Sequence, residues 1–451
     1  MKVQTLIAGG GLAGLACARE LADGSRSYLL VEKQKEIGGL CRSVIDQGFS
    51  FDYTGHFLHF HKPALRQWAS RYIGKVFKER RRHAVIYSQG GYSEYPYQEN
   101  NAGLPSSVLR ENVLGYLEAA LHRRFGKLST RSTPSGRSGQ VRSDLNFERW
   151  CLEAFGPGIS RHFMFPYNHK LWKFPLSQLT THWMGRFVPS PKIREVVEGA
   201  LTAKPSDSGY NATFLYPDQG GISLLPSGIA HGLSSVWRGA AIQRIDLKRR
   251  KAWLHSGFEV DFEFLVSSLP LPQLAALTEG LPAQLQSQAR GLKATSIYNI
   301  NFGLKGKQPI PYSWVYFPED SFKFHRAGSV SACVPTVAPP GHFSLYVEFS
   351  YRGAKPNPAQ LGRHAVQKLK QLGWIQSEKQ IVSRVDLDLP GAYVIYDRHR
   401  DEAVQELLSL YEKKNVYSVG RYGRWEYGSM ESALEQGLQA AQVISASSSV
   451  Q

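Results

Sequence analysis

Cysteine is scarce in this chain. There are four in 451 residues, Cys17, Cys41, Cys151 and Cys333, and no C-x-x-C pair among them. That excludes the usual zinc spacings and a dithiol redox motif. No catalytic triad or metal-ligand cluster stands out, and there is no internal repeat. Long apolar runs are also missing; none approaches the roughly 20 residues that a membrane-crossing helix needs. Lys2, the apolar run behind it and Ala16-Cys17-Ala18 imitate a secretory signal, but Gly9 to Gly11 break the run and Glu20 and Asp23 follow. The expected location is the cytoplasm. Acidic residues are in deficit: 37 Asp and Glu against 54 Lys and Arg give a net charge of +17. The bases are scattered apart from Lys78-Glu79-Arg80-Arg81-Arg82 and Lys248-Arg249-Arg250-Lys251. No nucleic-acid motif accompanies them, so the excess reads as a field that favours small anionic ligands.

What is present is concentrated at the start. Leu6-Ile7-Ala8-Gly9-Gly10-Gly11-Leu12-Ala13-Gly14 reads as a short apolar strand entering a G-x-G-x-x-G turn. A helical stretch from Leu15 to Leu21 follows, then a second apolar strand from Ser27 to Val31, then Glu32. Gly9 permits the tight turn, Gly11 lets a pyrophosphate approach the backbone, and Gly14 lets the helix pack on the strand. The helix N-terminus offers free N–H groups to the phosphates, and Glu32 is placed to accept from a ribose hydroxyl. The order strand, helix, strand, acid predicts a dinucleotide site. After Glu32 comes a short polar spacer and then Gly38-Gly39-Leu40-Cys41-Arg42. Acid, spacer and Gly-Gly resemble the extended fingerprint of flavoproteins related to amine oxidases, which points to FAD. Cys17 and Cys41 read as packed side chains.

Length suggests two or three domains. Residues 78–102 read as strands and turns, and residues 106–203 are mostly helical in pattern, interrupted by a polar loop over Ser129 to Ser143. Pro205 to Gly209 marks a boundary. Three short strands are expected between Ala241 and Leu269, strands by alternation over 295–350, a helix over 358–374, and a final strand at Val416 to Arg421 with a helix from Met430 to Ile444. The expected fold is α/β: a Rossmann-like FAD-binding domain with an inserted helical domain and an antiparallel β-sheet domain. The FAD-binding domain is discontinuous, over 1–77, 206–272 and 400–451. The helical domain takes 103–205, and the sheet domain, which would carry substrate, takes 78–102 and 273–399.

Four further segments resemble the UDP-galactopyranose mutase family over nearly the whole length. Gly55-His56-Phe57-Leu58-His59 is similar to that family's histidine loop. Tyr95-Pro96-Tyr97-Gln98-Glu99-Asn100-Asn101 is similar to its Tyr-Pro-Phe-Gln-Asn-Asn segment, with Glu99 as a departure. Pro166-Tyr167-Asn168-His169-Lys170-Leu171-Trp172, followed by Trp183-Met184-Gly185-Arg186, has the family's spacing of Tyr, Trp and Arg. In the last third, Arg326, Ala392-Tyr393-Val394-Ile395-Tyr396-Asp397 and Gly420-Arg421-Tyr422-Gly423-Arg424-Trp425-Glu426-Tyr427 match in turn, with Trp425-Glu426 departing from Tyr-Arg.

The resemblance implies site residues. Gly55 and His56 would lie against the flavin, His56 meeting it through its backbone. Ile242, Arg421 and Met430 would complete the FAD contacts begun by Gly9, Gly11, Gly14, Glu32, Gly38 and Gly39. Tyr95, Tyr97, Gln98, Tyr167, Asn168 and Trp172 would contact a UDP-sugar, the first three on its uracil side. Arg186, Arg326, Tyr393 and Tyr427 would converge on its diphosphate, and Arg186, Arg326 and His56 are the catalytic candidates. Arginine forks match phosphate oxygens bidentately, which suits such a role.

The family's reaction interconverts UDP-galactopyranose and UDP-galactofuranose. Reduced FAD acts there through N5 as a nucleophile on the anomeric carbon, and an external reductant such as NAD(P)H would maintain it. Neither metal nor nucleic acid nor membrane insertion is implied. Three alternatives stand beside this: an FAD-dependent oxidase or desaturase of the amine oxidase or protoporphyrinogen oxidase type, a mutase for another nucleotide sugar, and a non-catalytic binder.

Overall fold

The computed structural model describes residues 1–125, 145–185, 188, 190–202 and 213–447. The expected loop at 129–143, the boundary at 205–209 and Arg186 lie outside the described residues.

An eight-stranded sheet is built on Lys2–Ala8, which pairs in parallel with Tyr28–Glu32 on one side and Glu259–Ser267 on the other. Val236–Arg238 extends it in parallel beyond Tyr28–Glu32. Glu259–Ser267 shares its other edge between two partners. Its first residues pair antiparallel with Lys251–Leu254, and Leu265 to Ser267 pair in parallel with Val416–Ser418. Leu6, Ile7, Leu29, Leu30 and Leu265 are wholly buried, as expected of parallel strands covered on both faces. The helices Leu12–Asp23 and Met430–Ser447 pack together beside this sheet. They approach closely because Gly437 has no side chain; a Cβ there would lie 2.1 Å from the Ala13 carbonyl oxygen.

The first helix starts at Leu12, earlier than its sequence pattern suggested, because Gly11 serves as its N-cap. The sheet also retains the chain past residue 272. Thr278–Glu279 pairs with Ile242–Asp246, since Leu271, Leu274 and Ala275 are buried in the core and hold the chain there.

A second sheet has seven strands in the order Ile381–Val394, Ala294–Lys305, His342–Tyr351, Arg326–Gly328, Trp314–Tyr316, Ala84–Ser88, Gly91–Glu94. It is antiparallel except where Trp314–Tyr316 runs parallel to Ala84–Ser88. Helix Pro358–Gln371 covers one face through Ala365 and Leu369. Phe77–Arg81 does not join this sheet; it forms a separate ribbon with Thr213–Pro217. The described helical unit comprises Ser106–Phe125, Phe147–Ile159, a π-helical turn at Ser160–Met164, Phe165–Trp172 and Ile193–Leu201. Its first two helices meet backbone to backbone at Gly115 and Gly156.

Candidate active site

A cavity of about 890 Å³ runs from the glycine-rich turn, past the histidine loop, to an aromatic end between the helical unit and the seven-stranded sheet. At the first end each glycine has a distinct reason. Gly9 holds φ +101°, and a Cβ on Gly14 would lie 2.0 Å from the Gly9 carbonyl oxygen, so the helix rests directly on the turn. Gly11 lines the cavity, and nothing lies within 4 Å of where its Cβ would be. That open surface stands at the start of a helix whose N-cap provides no side-chain acceptor. It is a cradle for phosphate oxygens.

Glu32 closes the turn. Its Oε2 accepts from Gly10 N–H at 2.7 Å and its Oε1 from Gln34 N–H at 2.8 Å, while the residue still lines the cavity. Each oxygen retains a further lone pair for a ribose hydroxyl. Gly38 and Gly39 both hold positive φ, +108° and +61°, and Gly38 N–H donates to the Gly10 carbonyl at 2.7 Å. Cys41 is packed near Met430, its sulfur 3.6 Å from the Met430 sulfur, and burial pushes its thiol well up. Ile242, between Ala241 and the strand it begins, also lines this part of the wall.

At mid-cavity, Gly55 and His56 line the wall. Burial holds the His56 imidazole down at about 4, so it is neutral near pH 7, with Nδ1 3.2 Å from Thr54 Oγ1. The loop is anchored on its N-terminal side by Asp52, which accepts from Ser43 Oγ, Tyr216 OH and Ile222 N–H at 2.7, 2.8 and 3.2 Å. Opposite lies Arg421, flanked by the rings of Tyr427, Tyr393 and Tyr422 at 4.8, 5.0 and 5.9 Å. Its Nε and Nη2 are buried with no hydrogen-bond partner among the described residues. A buried guanidinium facing a cavity in this state calls for acceptors on whatever fills it. The open Gly11 cradle at one end and the unpartnered Arg421 further along fit a long dianionic dinucleotide such as FAD.

The aromatic end is lined by Tyr95, Gln98, Tyr167, Asn168, Trp314, Tyr316, Tyr393 and Tyr427. Tyr95 stacks on Tyr316 at 5.4 Å, and Tyr393 on Tyr427 at 6.1 Å. Two expected substrate residues are not on the wall. Tyr97 is wholly buried, stacked on Phe163 at 4.8 Å with its hydroxyl accepting from Asn112. Trp172 is buried as well, its indole N–H donating to Asn168 Oδ1 at 3.0 Å. Both therefore brace cavity residues rather than line the cavity. Of the departures from the family pattern, Trp425 lines the wall, while Glu99 is buried away from it and Glu426 accepts from Gln436.

Arg326 reaches the wall, but the Nε–Nη2 edge of its guanidinium is already taken by Glu348. Arg82, which sequence reasoning left in a run of surface bases, also lines the cavity, 5.1 Å from both the Tyr95 and the Trp314 ring centres. Its only signal was that the basic run precedes the Tyr95 segment. Among the described residues no group of three His, Cys, Asp or Glu side chains could hold a metal ion, and no helix is long and apolar enough to cross a membrane.

Solved structures similar to this one agree on the architecture. A crystal structure of reduced UDP-galactopyranose mutase is 25% identical, covers 98% of this chain and 96% of its own, and has a TM-score of 0.89. A putative protoporphyrinogen oxidase from Exiguobacterium sp. 255-15 is 14% identical with a TM-score of 0.72, each chain covered to 99%. Putrescine oxidase bound to putrescine is 13% identical with a TM-score of 0.65 at the same coverage, a likeness of fold alone. Residues 12–445, which include the first helix, Glu32 and the returning C-terminal strand, match the sequence profile of the flavin containing amine oxidoreductases, and the chain belongs to that family.

Proposed function

We propose that the protein is a flavin-dependent UDP-galactopyranose mutase, interconverting the pyranose and furanose forms of UDP-galactose. The observation that carries this reading is the charge at the substrate end. Arg82 and Arg421 line the cavity with no ion pair among the described residues, and aromatic rings surround both. Such a site attracts a nucleoside diphosphate and repels the ammonium group of an amine. The similarity to a mutase over almost the full length of both chains supports the same reading.

Bound at the glycine turn, reduced FAD supplies the nucleophile that the protein's own side chains do not. The chain's part is to bind, orient and stabilise. Tyr95, Tyr316 and Gln98 offer stacking faces and an amide to a uracil ring. The free edge of Arg326 and Arg186, which lies outside the described residues, stabilise charge on the departing phosphate. Burial pushes the Tyr393 hydroxyl well up, so it stays protonated and donates. Neutral His56 would meet the flavin through its backbone. An external reductant such as NAD(P)H keeps the cofactor active. A cytoplasmic setting belongs to this reading.

A mutase acting on a different nucleotide sugar is the second reading, and Trp425 on the cavity wall is the observation in its favour. The test is incubation of dithionite-reduced protein with UDP-galactofuranose, read by chromatography, with oxidised protein as control. Conversion only when reduced is expected. No conversion, with UDP still perturbing the flavin spectrum, moves the assignment to another sugar nucleotide. No conversion and no effect of UDP overturns both in favour of an oxidase.

A further inference from the structure

Arg326 and Glu348 are direct neighbours across two antiparallel strands. Arg326 Nε donates to Glu348 Oε2 at 2.8 Å and Nη2 to Oε1 at 3.0 Å. Glu348 is 0% exposed, and behind it His325, also 0% exposed, sits with Nε2 3.3 Å from Glu348 Oε2 and Nδ1 3.1 Å from Ser350 Oγ. Burial alone would raise the Glu348 carboxyl, but Arg326 and His325 hold it at about 2, so it is ionised throughout the working range. The guanidinium plane is further fixed over the Trp314 ring at 5.1 Å.

Two consequences follow. A guanidinium held along its Nε–Nη2 edge keeps three N–H groups, one on Nη2 and two on Nη1, so Arg326 can present only its Nη1–Nη2 end to a ligand, in an orientation set by Glu348. Its charge is cancelled locally, so the ion pair adds almost nothing to the net positive field that Arg82 and Arg421 create.

We propose that Glu348 is a positioning residue: it orients the Nη1–Nη2 end of Arg326 and cancels its charge, so that net positive charge for the diphosphate comes from other cavity arginines such as Arg82 while Arg326 acts directionally on the leaving group. This rests on the nucleotide-sugar reading above. It has a consequence with a definite sign. Glu348→Gln keeps the shape of the side chain but returns a full positive charge to the cavity and removes one of the two acceptors that orient Arg326. Binding of UDP then tightens while turnover slows. A merely structural role for Glu348 would weaken both together.

The experiment measures UDP affinity on the reduced, FAD-loaded protein from the flavin absorbance change, alongside kcat. For Glu348→Gln a UDP dissociation constant roughly tenfold lower and a kcat at least roughly tenfold lower are expected. Glu348→Asp, which keeps the charge but shortens the reach, should leave UDP affinity near wild type with a partial loss of kcat. In an Arg326→Met background, Glu348→Gln should cause no further loss of kcat, because Glu348 then has no arginine to aim. That pair removes both charges together, so it also serves if Glu348→Gln alone fails to fold. Weaker UDP binding by Glu348→Gln, or a further loss of kcat from Glu348→Gln in the Arg326→Met background, would overturn the proposal. Wild-type protein that shows no response to UDP would overturn the nucleotide-sugar reading instead.

Discussion

Glu431 Oε1 accepts the backbone N–H of His61 at 2.7 Å, and the same oxygen accepts that of Lys62 at 2.7 Å. Glu431 is 3% exposed and stands in the first turn of the last long helix, next to Met430 on the cavity wall. The final helix thus holds the far end of the loop that carries Gly55 and His56. Glu431→Ala leaves two N–H groups at the head of the Pro63–Ile73 helix without an acceptor, a loss of about 2–4 kcal/mol. A thermal melt of the FAD-loaded protein should show a clear drop for Ala and most of it restored by Gln, whose amide oxygen can take the same bonds. An Ala variant that melts with wild type would show that the contact does not matter.

The glycines of the turn separate folding from cofactor binding. A Cβ on Gly14 collides with the Gly9 carbonyl, so Gly14→Ala should yield little folded protein. A Cβ on Gly11 meets nothing within 4 Å, and its backbone, φ −73° and ψ 175°, accepts alanine. Gly11→Ala should therefore fold as well as wild type yet retain much less FAD. Circular dichroism for folding and the flavin-to-protein absorbance ratio for loading distinguish the two.

Arg421 should show opposite effects in the empty and loaded protein. Its Nε and Nη2 are buried and unpartnered, which destabilises the cofactor-free chain. Arg421→Met should raise the stability of cofactor-free protein by about 1–3 kcal/mol and weaken its hold on FAD or UDP. Urea titrations of the apoprotein, paired with FAD and UDP binding, check both signs; a less stable apoprotein would rule the argument out.

The acid response has competing parts. Burial depresses His56 and His59 from 6.5 to about 4. Between those values the unfolded chain binds the extra protons, so their contribution falls as pH drops through this window. Burial raises Asp52 from 3.8 to about 6, and there the folded state binds the proton, so its contribution rises as pH drops. Asp52→Asn removes the opposing part. Urea midpoints between about pH 6 and pH 4 should then fall more steeply than in wild type; an unchanged slope would contradict this account.

The phosphate-binding turn was legible because local sterics dictate it. Gly9, Gly11 and Gly14 are each demanded by a turn, an open approach or a close contact within a few residues, and Glu32 follows from the strand pattern. The aromatic end was legible only by segment. Resemblance located the stretch around Tyr95 and that around Trp172, but which side chains face the cavity depends on how the helical unit packs. That packing turns Tyr97 onto Phe163 and Trp172 away from the wall. Arg82 looked like one base among several because the sharp departure of the chain from the Phe77–Arg81 ribbon has no local signature. The partner of Arg326 was the least legible feature. Glu348 lies 22 residues away, on the neighbouring strand, and strand register is set by the whole sheet.

The eight-stranded sheet takes its opening strand and one of its flanking strands from opposite ends of the chain, and the first and last long helices touch at Ala13 and Gly437. A growing polypeptide would complete its phosphate turn early, but that turn would wait for most of translation with its neighbouring surfaces bare. The cavity wall is complete only when Met430 and Ala433 of the Met430–Ser447 helix are in place. Flavin capture is then a late sealing event rather than a nucleus for folding. Chains cut short before residue 416 should present apolar strands to chaperones rather than bind the cofactor.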